Sequence, residues 1–254
     1  MALLMHDFVA NLADSAVDEL WNASGFAMVA HLDQQKCQYL LLHYNGPKER
    51  NEQAMTNPDY THLTLVVDRS GSMKRICEDA QGGLNTLIAE QFAEDGKFTL
   101  TLVEFDTTVD TVTRMTSDAL EYTLVPRGTT ALFDAVGMEI VRTGEDLARL
   151  DEAQRPGKVL FVVVTDGHEN ASREYNLEQI RELISQQRDT YGWIFNFIGA
   201  DDTAWQGERM GMKSTAFARD GMSARKSYDI VNDKMKSLRK NIIIDLDMPR
   251  RIDG

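Results

Sequence analysis

Long apolar runs are missing from this chain. No stretch approaches the roughly 18 consecutive apolar residues of a membrane-spanning helix, so no membrane partner is expected. The first residues, Met1-Ala2-Leu3-Leu4-Met5-His6-Asp7, lack a basic leader and meet an acid early, unlike a secretory signal. Cysteine is nearly absent: only Cys37 and Cys77 occur. Two cysteines make no disulfide framework, and a cytoplasmic setting is expected. There the glycosylation patterns Asn22-Ala23-Ser24 and Asn170-Ala171-Ser172 carry no meaning. Positive charge is in deficit, with 27 Lys and Arg against 40 Asp and Glu, a net charge of −13. That balance disfavours nucleic acid and favours cations and basic partners. No Gly-x-Gly-x-x-Gly follows a strand, and no Gly-x-x-x-x-Gly-Lys occurs, which removes dinucleotide and P-loop nucleotide sites. There is no internal repeat.

What remains is ordinary for a globular chain: 254 residues, 43% hydrophobic and 26% charged, enough for one large α/β domain with an extension. Residues 1–54 read as an accessory segment, with an amphipathic helix at 3–21, a strand at 38–44 and a polar linker at 45–54. Met55-Thr56-Asn57-Pro58-Asp59-Tyr60 runs straight into the first core strand, so 1–54 is either an accessory or an upstream start that the cell does not use. The domain proper covers 55–240, and an apolar tail, 241–254, should pack somewhere.

From His62 onward strands and helices alternate. Strands are expected at 62–68, 97–106, 159–164, 193–198 and 214–218, and helices at 73–92, 131–142, 175–188, 201–211 and 223–240. Val109 to Met115 follows the second strand too closely for a crossover, so it is expected as an antiparallel edge partner. The continuously apolar Val159 to Val164 fits a central parallel strand covered on both faces. The fold class is therefore α/β: a doubly wound, mostly parallel sheet with one antiparallel edge strand and helices on both faces. Gly82-Gly83 interrupts the first helix, as close packing of helix on sheet requires. Lys226, Lys234, Lys236, Arg239 and Lys240 are read as the solvated face of the last helix.

Three short segments carry the chemistry. Asp68-Arg69-Ser70-Gly71-Ser72 follows the first strand, Gly128-Thr129-Thr130 opens a helix, and Thr165-Asp166-Gly167 ends the most apolar strand. Open α/β sheets bind ligands at the carboxyl ends of their strands, where the strand order reverses. Two carboxylates, Asp68 and Asp166, and three hydroxyls, Ser70, Ser72 and Thr130, would meet there. Such hard oxygen donors suit Mg²⁺, with Mn²⁺ or Ca²⁺ as alternatives. Neutral hydroxyls leave the ion electrophilic, and a partner's Asp or Glu can fill an open position.

The set Asp68-x-Ser70-x-Ser72, Thr130 and Asp166, with Gly-Thr-Thr-Ala-Leu-Phe-Asp-Ala at 128–135 and Val-Thr-Asp-Gly at 164–167, resembles the metal-ion-dependent adhesion site (MIDAS) of von Willebrand factor A (VWA) domains. The resemblance covers roughly residues 60–240 and points to the compact bacterial or phage type. It implies that Ser70, Ser72 and Thr130 bind metal directly, and Asp68 and Asp166 directly or through water. Thr130 is preferred to Thr129 because the family's threonine directly precedes the Ala-Leu that begins the helix. The implied function is divalent-cation-dependent binding of an unidentified protein through its Asp or Glu, by a non-enzymatic monomer. Some bacterial members dock onto chaperone-like ATPases, so an adaptor of an AAA-type ATPase or resistance complex is the second reading.

Asp106, Thr129, His168 and Asp201 are candidates for the rim. His168-Glu169-Asn170-Ala171-Ser172 begins like a zinc-protease motif, but Ser172 stands where the second histidine belongs. The Asp68 loop is similar to that of haloacid-dehalogenase phosphatases, but Ser70 replaces their general acid. Ser223-Ala224-Arg225-Lys226 matches Ser-x-x-Lys without its partner motifs. A metal-dependent hydrolase would need a base near the metal-bound water, and only Asp106 or His168 is placed to serve.

Overall fold

The computed structural model describes residues 56–218 and 221–240. The expected helix at 3–21, strand at 38–44, linker at 45–54 and tail at 241–254 lie outside the described residues. Six strands form one sheet: β1 (Asn57–Asp68), β2 (Lys97–Phe105), β3 (Val109–Thr116), β4 (Pro156–Thr165), β5 (Ile194–Ala200) and β6 (Lys213–Phe217). Their spatial order is β3-β2-β1-β4-β5-β6. Every pairing is parallel except β2 with β3. The turn between those two is too short to carry a crossover, so β3 must fold back. The sheet is thus doubly wound and mostly parallel with one antiparallel edge.

The apolar runs fall where burial on both faces requires them. β1 and β4 occupy the centre, and Leu63, Leu65, Val66, Val67 and Val162 to Val164 are fully buried. Helices α1 (Cys77–Ala93), α2 (Leu132–Ala148), α3 (Leu177–Tyr191), α4 (Trp205–Met210) and α5 (Gly221–Arg239) connect or follow the strands. One core joins Leu63, Leu65 and Val67 to Ala80, Leu84 and Ile88 of α1 and to Tyr228, Val231 and Met235 of α5. α2 packs against the opposite face, where Thr143 bonds to Thr64. Among the described residues no helix is long and apolar enough to cross a membrane.

Three expectations need correction. The helix foreseen at 73–92 starts as a 3-10 turn, Gly71–Arg75, and α1 begins only at Cys77. Met73 N–H bonds back three residues to Ser70 O at 3.1 Å, and the tighter turn keeps both serines beside Asp68 rather than winding them into a helix. Gly82-Gly83 does not serve helix-on-sheet contact. A methyl group on Gly83 would lie 2.3 Å from Tyr228 Cδ2, so the glycine admits the α5 tyrosine ring against α1. Nor are the basic residues of α5 simply solvated. Arg239 donates to the carbonyls of Gln91, Glu94 and Asp95 at 2.5, 3.1 and 2.9 Å, so it caps the C-terminal end of α1 and the two residues that follow it, carbonyls that lack intrahelical donors. Lys236 bonds Glu90 at 2.6 Å.

A buried polar chain runs between β1, β2 and α2. Tyr60 and His62 both bond Thr99 Oγ1 at 2.8 Å. His62 Nε2 meets Thr64 Oγ1 at 3.2 Å, and Thr64 meets Thr143 at 3.2 Å. Thr143 donates to Glu139, which is paired with Arg114. Burial foremost, then the Arg114 charge, pushes the His62 ring down to about 3 from 6.5. A histidine that stays neutral when folded but takes a proton when unfolded costs stability as pH falls below 6.5, by about 1.4 kcal/mol per pH unit until pH nears 3. We therefore expect the stability difference between wild type and His62→Gln, measured by urea unfolding, to shift in favour of the variant by about that amount per unit from pH 6.5 to 4.5. Parallel pH profiles would contradict it.

Candidate metal centre

β1 and β4 lie side by side, with Val67 paired to Val164, so Asp68 and Asp166 leave the sheet together. The chain winds away from β1 and β4 in opposite directions at this point, and a crevice opens. Asp68, Ser70, Thr130 and Asp166 are buried, and Ser72 is partly exposed. Asp68 Oδ1 accepts from Ser70 N–H and Oδ2 from Thr165 Oγ1, both at 2.5 Å. The Ser70 and Ser72 hydroxyls are 2.9 Å apart. Gly167 closes the set: a methyl group there would lie 2.7 Å from Thr130 Oγ1 and 2.9 Å from Asp68 Oδ2. Both oxygens therefore border one point, which only a glycine leaves open.

Burial pushes the Asp68 carboxyl up to about 6, and the Asp166 charge adds to it, against bonds from Thr165 and Ser70. Two acids forced together in a dry crevice favour a cation. Among the described residues no lysine or arginine pairs with Asp68, since the neighbouring Arg69 reaches away to Glu104, Asp106 and Asp110. No group of three or more His, Cys, Asp or Glu that could hold a metal exists among the described residues. Any ion held here must draw on the hydroxyls, and that donor set fits a hard divalent cation.

The rim candidates separate. Thr130 is buried and its backbone bonds Asn170 through both N–H and C=O at 3.0 Å. Thr129 is exposed and meets Thr107 at 2.9 Å. Asp106 Oδ2 accepts from Arg69 Nε at 2.9 Å and Arg127 Nε at 2.8 Å. Burial raises its carboxyl, but these bonds and one from Thr108 N–H outweigh it and hold it down at about 2. Its carbonyl accepts from Ala131 N–H at 2.8 Å, so Asp106 fastens the loop that presents Thr130. His168 is half exposed beside Asp202, at 3.9 Å. Asp201 is exposed, and its N–H bonds Phe217 O at 2.9 Å.

Several positioning residues carried no role in the sequence reading. Glu169 accepts from Phe133 N–H at the start of α2, and from Ala171 and Ser172 N–H, which leaves it a cap rather than a base. Gln206 donates to Gly167 O at 2.9 Å and accepts from Glu169 N–H at 2.8 Å. Thr165 stood inside a quoted motif; Asn170 and Gln206 act through loops with no local signal. Tyr228 is buried with its hydroxyl unbonded among the described residues. Burial and then the Asp166 charge push it up, so α5 reaches the electrostatic surroundings of the site.

No protein-family model and no curated protein matches the sequence. Solved structures do match. Proximal thread matrix protein 1 from the mussel byssus, with a zinc-occupied MIDAS motif, aligns with a TM-score of 0.53 at 14% identity, over 70% of this chain and 46% of that one. A von Willebrand factor type A protein from Catenulispora acidiphila aligns with a TM-score of 0.51 at 14% identity, over 70% and 43%. This chain has the VWA fold. A mutant of the PilB minor pilin from Streptococcus sanguinis gives a TM-score of 0.51 at 13% identity, over 78% and 64%. The chain thus spans between 43% and 64% of the length of these VWA-fold neighbours.

Within this VWA fold Gly167 leaves no room for a side chain between Thr130 and Asp68. Gly167→Ala is expected to lower stability by about 1–3 kcal/mol through overpacking, measured by urea unfolding. Wild-type stability in that variant would contradict the close approach of Thr130 and Asp68.

Proposed function

We propose that this VWA-fold chain is a divalent-cation-dependent protein-binding module. Asp68, Ser70, Ser72, Thr130 and Asp166 would hold the ion, Mg²⁺ first, with Mn²⁺ or Ca²⁺ able to substitute. The observation that carries the reading is the meeting of Thr130 Oγ1 and Asp68 Oδ2 across Gly167, beside a second buried acid. A bound ion would supply an electrophilic centre for an Asp or Glu of a partner protein. The neighbour described with a zinc-occupied MIDAS motif supports metal binding on this fold. Binding is favoured over hydrolysis because the two arginines that, against burial, hold the Asp106 carboxyl down at about 2 leave it a weak base, Glu169 is occupied by backbone donors, and His168 stands half exposed beside Asp202.

Thermal melts in EDTA, then with each ion, test this directly. An ion at about 100 times its dissociation constant should raise Tm by roughly 5–10 °C. Asp68→Ala and Thr130→Ala should remove the shift while each still melts cooperatively. A shift that survives in both variants, or none with any ion, would sink the assignment.

A further inference from the structure

Tyr60 and Tyr228 are each 1% exposed, and they differ at the hydroxyl. Tyr60 bonds Thr99 Oγ1 at 2.8 Å. The Tyr228 hydroxyl bonds no group among the described residues. A buried hydroxyl left without a partner destabilises a fold, and phenylalanine would fill the same space without that cost. The ring of Tyr228 is firmly placed. A methyl group on Gly83 would come within 2.3 Å of its Cδ2 and 2.9 Å of its Cε2, so α1 backs the ring on that side. The same core holds Val67, next to Asp68, and Val164, two residues before Asp166. After burial, the influence on the hydroxyl is the Asp166 charge, which likewise holds its proton on. A neutral phenol can donate, and a carboxylate can only accept.

We propose that Tyr228 is a positioning residue for the ion site, its hydroxyl kept in reserve to donate to the Asp166 carboxylate when an ion is held. The proposal rests on the reading of Asp166 as an ion ligand. It gives the hydroxyl a role that packing of the fold does not. A hydrogen bond to an anion is stronger than one between neutral groups. Partners of this kind fix the orientation of a ligating carboxylate, and their loss typically weakens metal binding by about 10–100-fold. Asp68 already has such partners in Ser70 N–H and Thr165 Oγ1. Tyr228 would serve the second acid from α5.

Tyr228→Phe tests this cleanly, because the ring stays against Gly83 and only the hydroxyl goes. Tyr60→Phe is the matched control, since Tyr60 lies near the other end of β1 from Asp68. Urea unfolding in EDTA reads the stability of each variant, and calorimetric titration with Mg²⁺ reads its affinity. Tyr228→Phe should be at least as stable as wild type in EDTA, yet bind Mg²⁺ about tenfold more weakly. Tyr60→Phe should do the reverse, losing stability and keeping its Mg²⁺ affinity. Unchanged affinity in Tyr228→Phe, a loss of its stability in EDTA, or an equal fall in affinity in Tyr60→Phe would overturn the proposal while leaving the metal reading intact. Failure of wild type to bind Mg²⁺ would overturn the metal reading, and the proposal with it.

Discussion

Two carboxylates buried at the ends of adjacent parallel strands set the terms for this structure. Removing each ion from water costs several kcal/mol in effective terms, and their mutual repulsion raises the cost. The fold meets part of it locally, through Ser70 N–H and Thr165 Oγ1 on Asp68. The rest appears as an Asp68 carboxyl pushed up to about 6. Such a pair is poorly explained as scaffolding. It is well explained as a standing electrostatic demand for a cation, placed where a doubly wound sheet opens its crevice.

The surrounding contacts keep that demand in one geometry. Arg69 is drawn off the site by three acids, of β2, the following turn and β3, which prevents it from neutralising Asp68 from within. Asp106 joins the Asp68 loop to the Thr130 loop through Arg69, Arg127 and the Ala131 N–H. Asn170 holds Thr130 from the other side, and Gln206 ties the Asp166 loop to α4. A cation site built largely from neutral hydroxyls depends on such positioning, because each hydroxyl contributes less than a carboxylate and tolerates less misplacement.

The sequence made the sheet, its edge strand and the strand-end loops legible, because each depends on local pattern: apolar runs, a short turn, and acids or hydroxyls at run ends. It was silent where partners come from far away. Gly83 could be read as a close contact, but not as contact with Tyr228, which lies beyond five intervening strands. Arg239 looked like a solvated cation because its acceptors, backbone carbonyls at and just beyond the end of α1, have no side-chain signature. Asp106 was legible as a residue of the binding edge, but its capture by Arg69 and Arg127 was not. The 3-10 start after Ser70 overrode a good helical periodicity because the loop's hydrogen bonds to Asp68 come first.

The central claim is one divalent ion held by Asp68 and the hydroxyls with a position open to a carboxylate. Water-proton relaxation of the Mn²⁺-loaded protein reads this most directly. The account predicts a single bound Mn²⁺ per chain whose enhanced relaxation reports exchangeable water and drops when acetate is added. No enhancement, or an enhancement that acetate leaves untouched, would contradict an open, carboxylate-accepting ion at this site.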